Sequence, residues 1–380
     1  MLASPAARLA LFYGATFLAA GVQLPFWPVW LKSRGLGASE IGLLLAVGIW
    51  IKVAATPLVG IVADRMNRRR LMIGLALLSL CAYLLLLPAH DFLGLLLLTT
   101  LATTSAASLG PLGENATLSA SKAGKLDYGR VRLWGSLSFI VAVLGSGYLL
   151  SEGGSDLILL LIAGASGLTV LACFAIPGEI AGRKGARPGA WRALLGARHL
   201  LFLGAALLVQ ASHSVYYAFG TLYWSAQGFS SATIAWLWVE GVVAEIALFF
   251  WGGPLVRRIG PLRLLALGGA GGALRWAATG FVIDLPTLAV LQLFHALSFG
   301  ASHLGAMHQL ARTVPAEQSA TGQALYSASV SGFGFGFATL LSGPLYAAYG
   351  GRAYLAMAGM AAGGALLALL LNRRDSAAAK

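Results

Sequence analysis

Charged residues are scarce in this sequence, and their scarcity indicates the class of protein. Only 10% of the 380 residues are charged, whereas about a quarter of the residues of an average soluble domain are charged. Apolar residues make up 58% of the chain, and the mean hydropathy is +0.80. The apolar residues come in runs of about twenty, not in the alternating segments of about ten residues that form a membrane barrel. This composition predicts an all-α protein that crosses a lipid bilayer several times.

Cysteine and catalytic groupings are also lacking. The two cysteines, Cys81 and Cys173, lie singly inside apolar runs, and this excludes a disulfide framework and a zinc site. The sequence shows no nucleophile–base pair, no metal-binding cluster and no nucleotide-binding motif. We therefore expect no enzymatic activity, no metal and no cofactor, and we expect any transport to draw on an ion gradient.

Twelve apolar segments follow one another along the chain, and most are long enough to span about 30 Å of hydrocarbon. They are residues 8–31, 39–62, 71–89, 92–119, 129–151, 156–176, 199–226, 231–253, 262–282, 285–311, 318–343 and 350–371. The longest polar interval, Pro177 to Arg198, leaves six segments on either side. We predict a first half at residues 1–176, a cytoplasmic central loop at 177–198 and a second half at 199–380.

Basic residues outnumber acidic residues by 26 to 13, and their placement predicts the orientation. Most fall in loops on the side of the two termini. Three fall on the opposite side and three inside segments, namely Lys32, Arg34 and Arg352, and Lys52, Arg132 and Arg275. The positive-inside rule then predicts a multi-pass membrane protein with both termini in the cytoplasm. Because the charge is spread over every cytoplasmic loop, it does not indicate nucleic-acid binding.

A weak internal repeat relates the two halves at an offset of 193 residues, at which Gly60 matches Gly253 and Arg65 matches Arg258. The pattern predicts two parallel six-helix repeats. In transporters with this layout, the substrate site lies between the halves near the middle of the membrane.

A charged hairpin lies at residues 111–135. Glu114 precedes its polar turn and Arg132 follows it. If both arms are helical, each charge lies roughly 10–14 Å from the bend. An acid and a base at matching depth on neighbouring helices can pair, and charges inside a membrane are costly and usually functional.

Lys52 and Glu245 occupy the same position in the two repeats, near the middle of the second and past the middle of the eighth segment. A central lysine costs about 2.5–3.5 kcal/mol on insertion scales, so we expect it to face a wet cavity or a partner. Glu240 lies roughly 140° from Glu245 around the helix, so one of the two faces the cavity. Symmetry with Lys52 favours Glu245, although a structural hydrogen bond to a neighbouring helix is the alternative.

The loop after the second segment, GIVADRMNRRR at residues 60–70, resembles the G-x-x-x-D-R-x-G-R-R motif of the major facilitator superfamily. The resemblance implies the major facilitator fold. Asn67 replaces the usual glycine, and asparagine tolerates a left-handed backbone. An acid near a helix end with arginines around it can form a conformational latch. The latch candidates are Gly60, Asp64, Arg65 and Arg69, whereas we interpret Arg68 and Arg70 as plain cytoplasmic anchors.

Two further stretches, DYGRVRLWG at residues 127–135 and QLPFWPVWLK at residues 23–32, resemble lactose-permease-like symporters. They are most similar to the phenylpropionate permease group of that family. Glu114 and Arg132 have the eighteen-residue spacing of the family's sugar-binding pair. The resemblance implies that these two residues bind substrate.

Arg275 and His295 have the twenty-residue spacing of an arginine and a histidine in the proton machinery of lactose permease. Gln292 and Ser298 replace the lysine and glutamate of that machinery, so the implied proton route is incomplete. A structural interhelical hydrogen bond is an equal interpretation of His295.

These features predict a secondary active transporter that imports a small organic molecule together with protons. The resemblance implies an aromatic monocarboxylate. The expected substrate-binding residues are Glu114, Arg132 and Lys52, and the expected proton-coupling residues are Glu245, Glu114, Arg275 and His295. Import of a sugar or nucleoside is one alternative, and a membrane sensor without transport is another. We expect a monomer.

Overall fold

The computed structural model describes residues 4–176, 196–315 and 318–378, and the regular structure of these residues is helical throughout. Most of the predicted central loop, residues 177–195, lies outside the described residues. Nine helical stretches in the described part of the chain are long and apolar enough to span a membrane. One of these, Thr321–Arg374, holds two of the predicted segments. The predicted all-α polytopic fold with twelve segments is confirmed.

The chain divides into two compact units. The first unit comprises Met1–Lys184 and Trp224–Trp236, and the second comprises Gly185–Tyr223 and Leu237–Lys380. The predicted boundaries of the two halves stay a prediction.

Six helices precede residue 177 in the first unit. They are α1 (Pro5–Ser33), α2 (Ala38–Ala63), α3 (Arg68–Leu85), α4 (Phe92–Lys122), α5 (Tyr128–Glu152) and α6 (Asp156–Ala175). Four of them begin at a polar side chain that accepts a hydrogen bond from the backbone N–H three residues on, which satisfies a free amide of the first turn. These capping residues are Ser4, Asn67, Asp91 and Asp127.

The core of the first unit lies where α1, α3, α4 and α6 meet. It includes Leu9, Phe12, Met72, Leu112 and Cys173, all of which are buried. Helix α1 packs along α5 and α6, and α3 packs along α4 and α6. Helix α1 therefore lies next to the charged hairpin that α4 and α5 form.

The remaining helices follow residue 196. They are α7 (Ala197–Ala211), α8 (Ser214–Ala226), α9 (Ser231–Phe250), α10 (Gly252–Ile259), α11 (Pro261–Thr279), α12 (Leu285–Leu293), α13 (Ser302–Thr313), α14 (Ser319–Tyr326), α15 (Phe335–Tyr349) and α16 (Tyr354–Ala378). Two π-helical segments, Ala296–Ala301 and Ser327–Gly334, lie before α13 and α15. Outside the spans, Asp284 caps α12, and its hydrogen bonds to Thr287 lower its pKa.

In the second unit, α11 packs along α16 and α13, and α16 packs along α7. The buried core includes Phe202, Ala206, Leu265, Ala306 and Ala368. Several predicted segments of this unit are interrupted helices. Residues 199–226 contain most of α7 and all of α8, and residues 285–311 contain α12, a π-helical segment and most of α13.

Candidate functional site

The carboxylate of Glu114, on α4, is held by two tyrosines. Tyr13 on α1 donates its hydroxyl to Oε2 over 3.4 Å, and Tyr128 on α5 donates its hydroxyl to Oε1. Tyr128 is the first residue of α5, because Asp127 caps that helix through the Arg130 amide at 2.8 Å. Both carboxylate oxygens therefore have a neutral donor.

Arg132 does not pair with Glu114. No salt bridge joins them in the part of the chain that the structure describes, so the expected direct pairing is not observed. Instead, the guanidinium carbon of Arg132 lies 4.2 Å from the ring centroid of Phe17 and 5.4 Å from that of Tyr13. Its Nη1 is buried and has no hydrogen-bond partner among the described residues. The aromatic residues of α1 could not be placed beside the hairpin from the sequence alone.

A second polar cluster surrounds Arg275 on α11. This side chain is fully buried, and the rings of Tyr216 and Trp276 lie 4.7 and 4.4 Å from its guanidinium carbon. Arg275 Nη1 lies 3.0 Å from His295 Nδ1, and His295 Nε2 lies 3.4 Å from Glu245 Oε2. Three of the predicted proton-coupling residues are thus brought together in one chain of contacts.

The contacts of His295 define its tautomer. An arginine can only donate, so Nδ1 of His295 accepts from Arg275. The proton of the neutral ring is then on Nε2, where it points to the Glu245 carboxylate. His295 therefore links a buried cation to an acid without carrying a charge itself.

Gln292 and Ser298, the two departures from the lactose permease pattern, both bind Arg275. Gln292 Oε1 accepts from Arg275 Nη2 at 2.7 Å, and Ser298 Oγ accepts from Nη1 at 3.1 Å. Ser298 Oγ also lies 3.2 Å from Nε2 of His213, whose Nδ1 lies 3.1 Å from a backbone carbonyl. Nδ1 of His213 is therefore the donor, and Nε2 accepts from Ser298. The sequence pattern did not predict that these uncharged side chains surround Arg275.

The comparison with known proteins agrees with this helical architecture. A model of the MFS_1 like family matches residues 6–356. The chain belongs to this family of major facilitator transporters. It is therefore a transporter and not an enzyme.

Among the relatives of this MFS_1 like transporter is an Escherichia coli K12 protein named as a probable 3-phenylpropionic acid transporter. The two are 33% identical, and the match covers 92% of this chain and 93% of the relative. A maltose permease of Geobacillus stearothermophilus is 29% identical over 97% of this chain and 95% of its own. A crystal structure of the nucleoside transporter NupG superposes with a TM-score of 0.85 at 17% identity, over 97% of this chain and 98% of that one.

The other charged side chains in the predicted membrane segments of this MFS_1 like transporter make fewer polar contacts. The side chain of Lys52, half-buried on α2, has no hydrogen-bond or ion-pair partner among residues 4–176, 196–315 and 318–378. Glu240 makes no hydrogen bond to a described residue either, whereas Glu245 contacts His295. Of the two acids on α9, Glu245 is therefore the one in the Arg275 cluster.

The family's loop motif differs in two respects from our expectations. Asn67 has φ −62° and caps α3, so it replaces the glycine as a helix cap and not as a left-handed residue. Arg68 is only 4% exposed and donates to Asn115 Oδ1 at 2.8 Å, so interpreting it as a plain anchor was wrong.

Among the candidates for the conformational latch, Asp64 is exposed and forms no salt bridge with a described arginine. The other latch candidates are likewise exposed, namely Gly60, Arg65 and Arg69.

Proposed function

We propose that this transporter is a proton-coupled symporter that imports an aromatic monocarboxylate of the 3-phenylpropionate kind by alternating access. One observation supports an anionic substrate. The three intramembrane cations, Lys52, Arg132 and Arg275, have no carboxylate partner among the described residues. Unpaired cations inside a membrane favour an anionic ligand. The similarity to a protein named as a probable 3-phenylpropionic acid transporter supports the same class.

In this proposal, Arg132 and Lys52 bind the substrate carboxylate, and Glu114 orients the site. The two tyrosines on Glu114 hold its carboxylate through hydrogen bonds. They thereby keep it from neutralising Arg132, so the guanidinium stays available to an incoming anion. The phenyl ring of the substrate would lie against the aromatic side chains of α1.

Proton coupling would run through Glu245, His295 and Arg275. Protonating His295 would add an N–H and a positive charge opposite Arg275, because Nδ1 already accepts from that residue. A proton is therefore held on Glu245 while Arg275 occupies Nδ1. When Arg275 is drawn away, Nδ1 of His295 becomes free to take up a proton from water, while Nε2 keeps the proton that faces Glu245. Proton uptake at His295 then depends on the contacts of Arg275, and this dependence would link substrate and proton binding.

The proposed membrane topology follows from the distribution of the basic residues. Residues 1–176 and 199–380 form the two halves, residues 177–198 link them in the cytoplasm, and both termini face the cytoplasm of a bacterial cell. The transporter works as a monomer in the inner membrane. The latch residues Gly60, Asp64, Arg65 and Arg69 act at the cytoplasmic face in another state of the transport cycle.

The direct test is uptake of labelled 3-phenylpropionate into proteoliposomes under an imposed proton gradient. Glu245→Gln removes the proposed proton carrier, and Glu114→Gln removes the carboxylate that would orient Arg132 or take the proton, so we expect gradient-driven accumulation to fall to that of empty liposomes. Glu245→Gln should still exchange substrate in counterflow. The control is Glu152→Gln, at the exposed end of α5, which should accumulate substrate normally. Gradient-driven accumulation that persists in both Glu114→Gln and Glu245→Gln would contradict the proton roles.

Transport of a sugar or nucleoside is the second candidate. The similarity to a maltose permease favours it, because Glu114 and Arg132 would also suit a hydroxyl-rich ligand. Competition of labelled uptake by 3-phenylpropionate, maltose and uridine separates the two candidates. Inhibition by the acid alone supports our proposal, and inhibition by either neutral compound alone contradicts it.

A further inference from the structure

The guanidinium of Arg132 lies in a notch between α1 and α5. One wall is Phe17, whose ring centroid lies 4.2 Å from the guanidinium carbon. The floor is Gly135, one helical turn beyond Arg132 on α5. A Cβ atom at Gly135 would lie 2.9 Å from Arg132 Nη1 and 3.1 Å from Phe17 Cδ2. No side chain larger than hydrogen fits there unless the guanidinium or the Phe17 ring moves.

The notch leaves the two edges of the guanidinium in different surroundings. Nη1 is buried against Gly135 and has no hydrogen-bond partner among the described residues, whereas Nε and Nη2 are not buried in this way. A carboxylate can pair with an arginine through Nη1 and Nη2 or side-on through Nε and Nη2. With Nη1 packed into the notch, the Nε–Nη2 edge remains available.

We infer that Gly135 and Phe17 are positioning residues that hold Arg132 ready to bind the substrate carboxylate side-on through Nε and Nη2. This inference rests on the proposed function, because it concerns the anion bound at the same arginine. The ring of Phe17 compensates the unpaired positive charge by a cation–π contact. The guanidinium therefore keeps one geometry without an acid to hold it, and less conformational entropy is lost when the anion binds.

Gly135→Ala tests this geometry, and Gly145→Ala is a matched control on the same helix. A Cβ atom at Gly145 meets no atom within 4 Å. The measurement is the dissociation constant of the purified full-length protein for 3-phenylpropionate and for its neutral analogue 3-phenylpropionamide, by isothermal titration calorimetry. We expect Gly135→Ala to lose about tenfold in affinity for the acid, the scale of one charge-assisted contact, with little change for the amide. Gly145→Ala should match the unsubstituted protein for both ligands.

Phe17→Leu provides a second test that leaves the helix backbone unchanged. It removes the ring beside Arg132 but retains an apolar side chain. Like Gly135→Ala, it should therefore reduce the preference of the protein for the acid over the amide. If Gly135→Ala and Phe17→Leu both keep the full preference, the positioning role is wrong while the proposed substrate class stands. If the unsubstituted protein shows no preference for the acid, the proposed function fails as well.

Discussion

Glu114 precedes Arg132 by eighteen residues, a spacing that suggested a pair, yet tyrosine hydroxyls donate to both of its carboxylate oxygens. In the second unit, Arg275 is likewise surrounded by neutral acceptors, from His295, Gln292 and Ser298. Glu114 and Arg275 are thus each held by neutral hydrogen-bonding groups and not by an opposite charge. Such a charge remains able to respond to an ionic ligand, whereas a closed ion pair would have to be broken first.

Replacing Tyr128 by phenylalanine tests this arrangement at the scale of one residue. The change removes one donor from Glu114, so we expect it to destabilise the protein by about 1–3 kcal/mol. The freed oxygen can then compete for Arg132, so the KM for uptake should rise while the protein still folds. Thermal unfolding and uptake kinetics measure the two effects.

Tyr349→Phe is the control for Tyr128→Phe, because Tyr349 is 63% exposed and has no hydrogen bond from its side chain to a described residue. It should leave stability and KM unchanged. Equal behaviour of the two variants would show that the Tyr128 hydroxyl does not hold Glu114.

At the scale of elements, glycines set how closely α16 packs against α7. A Cβ atom at Gly364 would lie 2.9 Å from the carbonyl oxygen of Ala205 and 3.0 Å from the amide nitrogen of Val209. Both are backbone atoms, so neither can rotate away. The neighbouring Gly363 is different, since a Cβ atom there would meet its nearest atom, in Leu208, at 3.7 Å.

Gly364→Ala should therefore destabilise the second unit by about 1–3 kcal/mol, because overpacking forces the helices apart. Gly363→Ala should be neutral or stabilising by up to about 1 kcal/mol, since alanine favours a helix. Thermal unfolding of the purified protein in detergent measures both changes. A smaller loss for Gly364→Ala than for Gly363→Ala would contradict the packing that the structure describes.

At the scale of the whole molecule, the distribution of basic residues predicts that both termini lie in the cytoplasm. A fluorescent protein fused after Lys380 should therefore fluoresce, and alkaline phosphatase fused at the same place should be inactive. Phosphatase fused after Gly154, in the turn between α5 and α6, should be active because that turn is predicted to lie outside. Active phosphatase after Lys380 would reverse the predicted orientation.

The sequence alone determined the class and layout of this protein. Long apolar runs can be stable in a bilayer only as helices, because every backbone amide must be satisfied within its own segment. The twelve segments and the transporter family could therefore be predicted from the apolar runs and the loop motif. The spacing of Arg275 and His295 resembles that of the lactose permease proton machinery, and the structure places the two side chains 3.0 Å apart.

The tertiary structure decided which groups meet at each charge. Tyr13 and Phe17 are distant in sequence from Arg132, and only the packing of α1 along α5 brings them to it. Gln292 and Ser298 appeared in the sequence as losses from a proton route, yet the fold makes both of them acceptors for Arg275. The physical reason is that spacing along one helix determines depth in the membrane, whereas the partner of a side chain depends on which helix packs beside it and in what rotation.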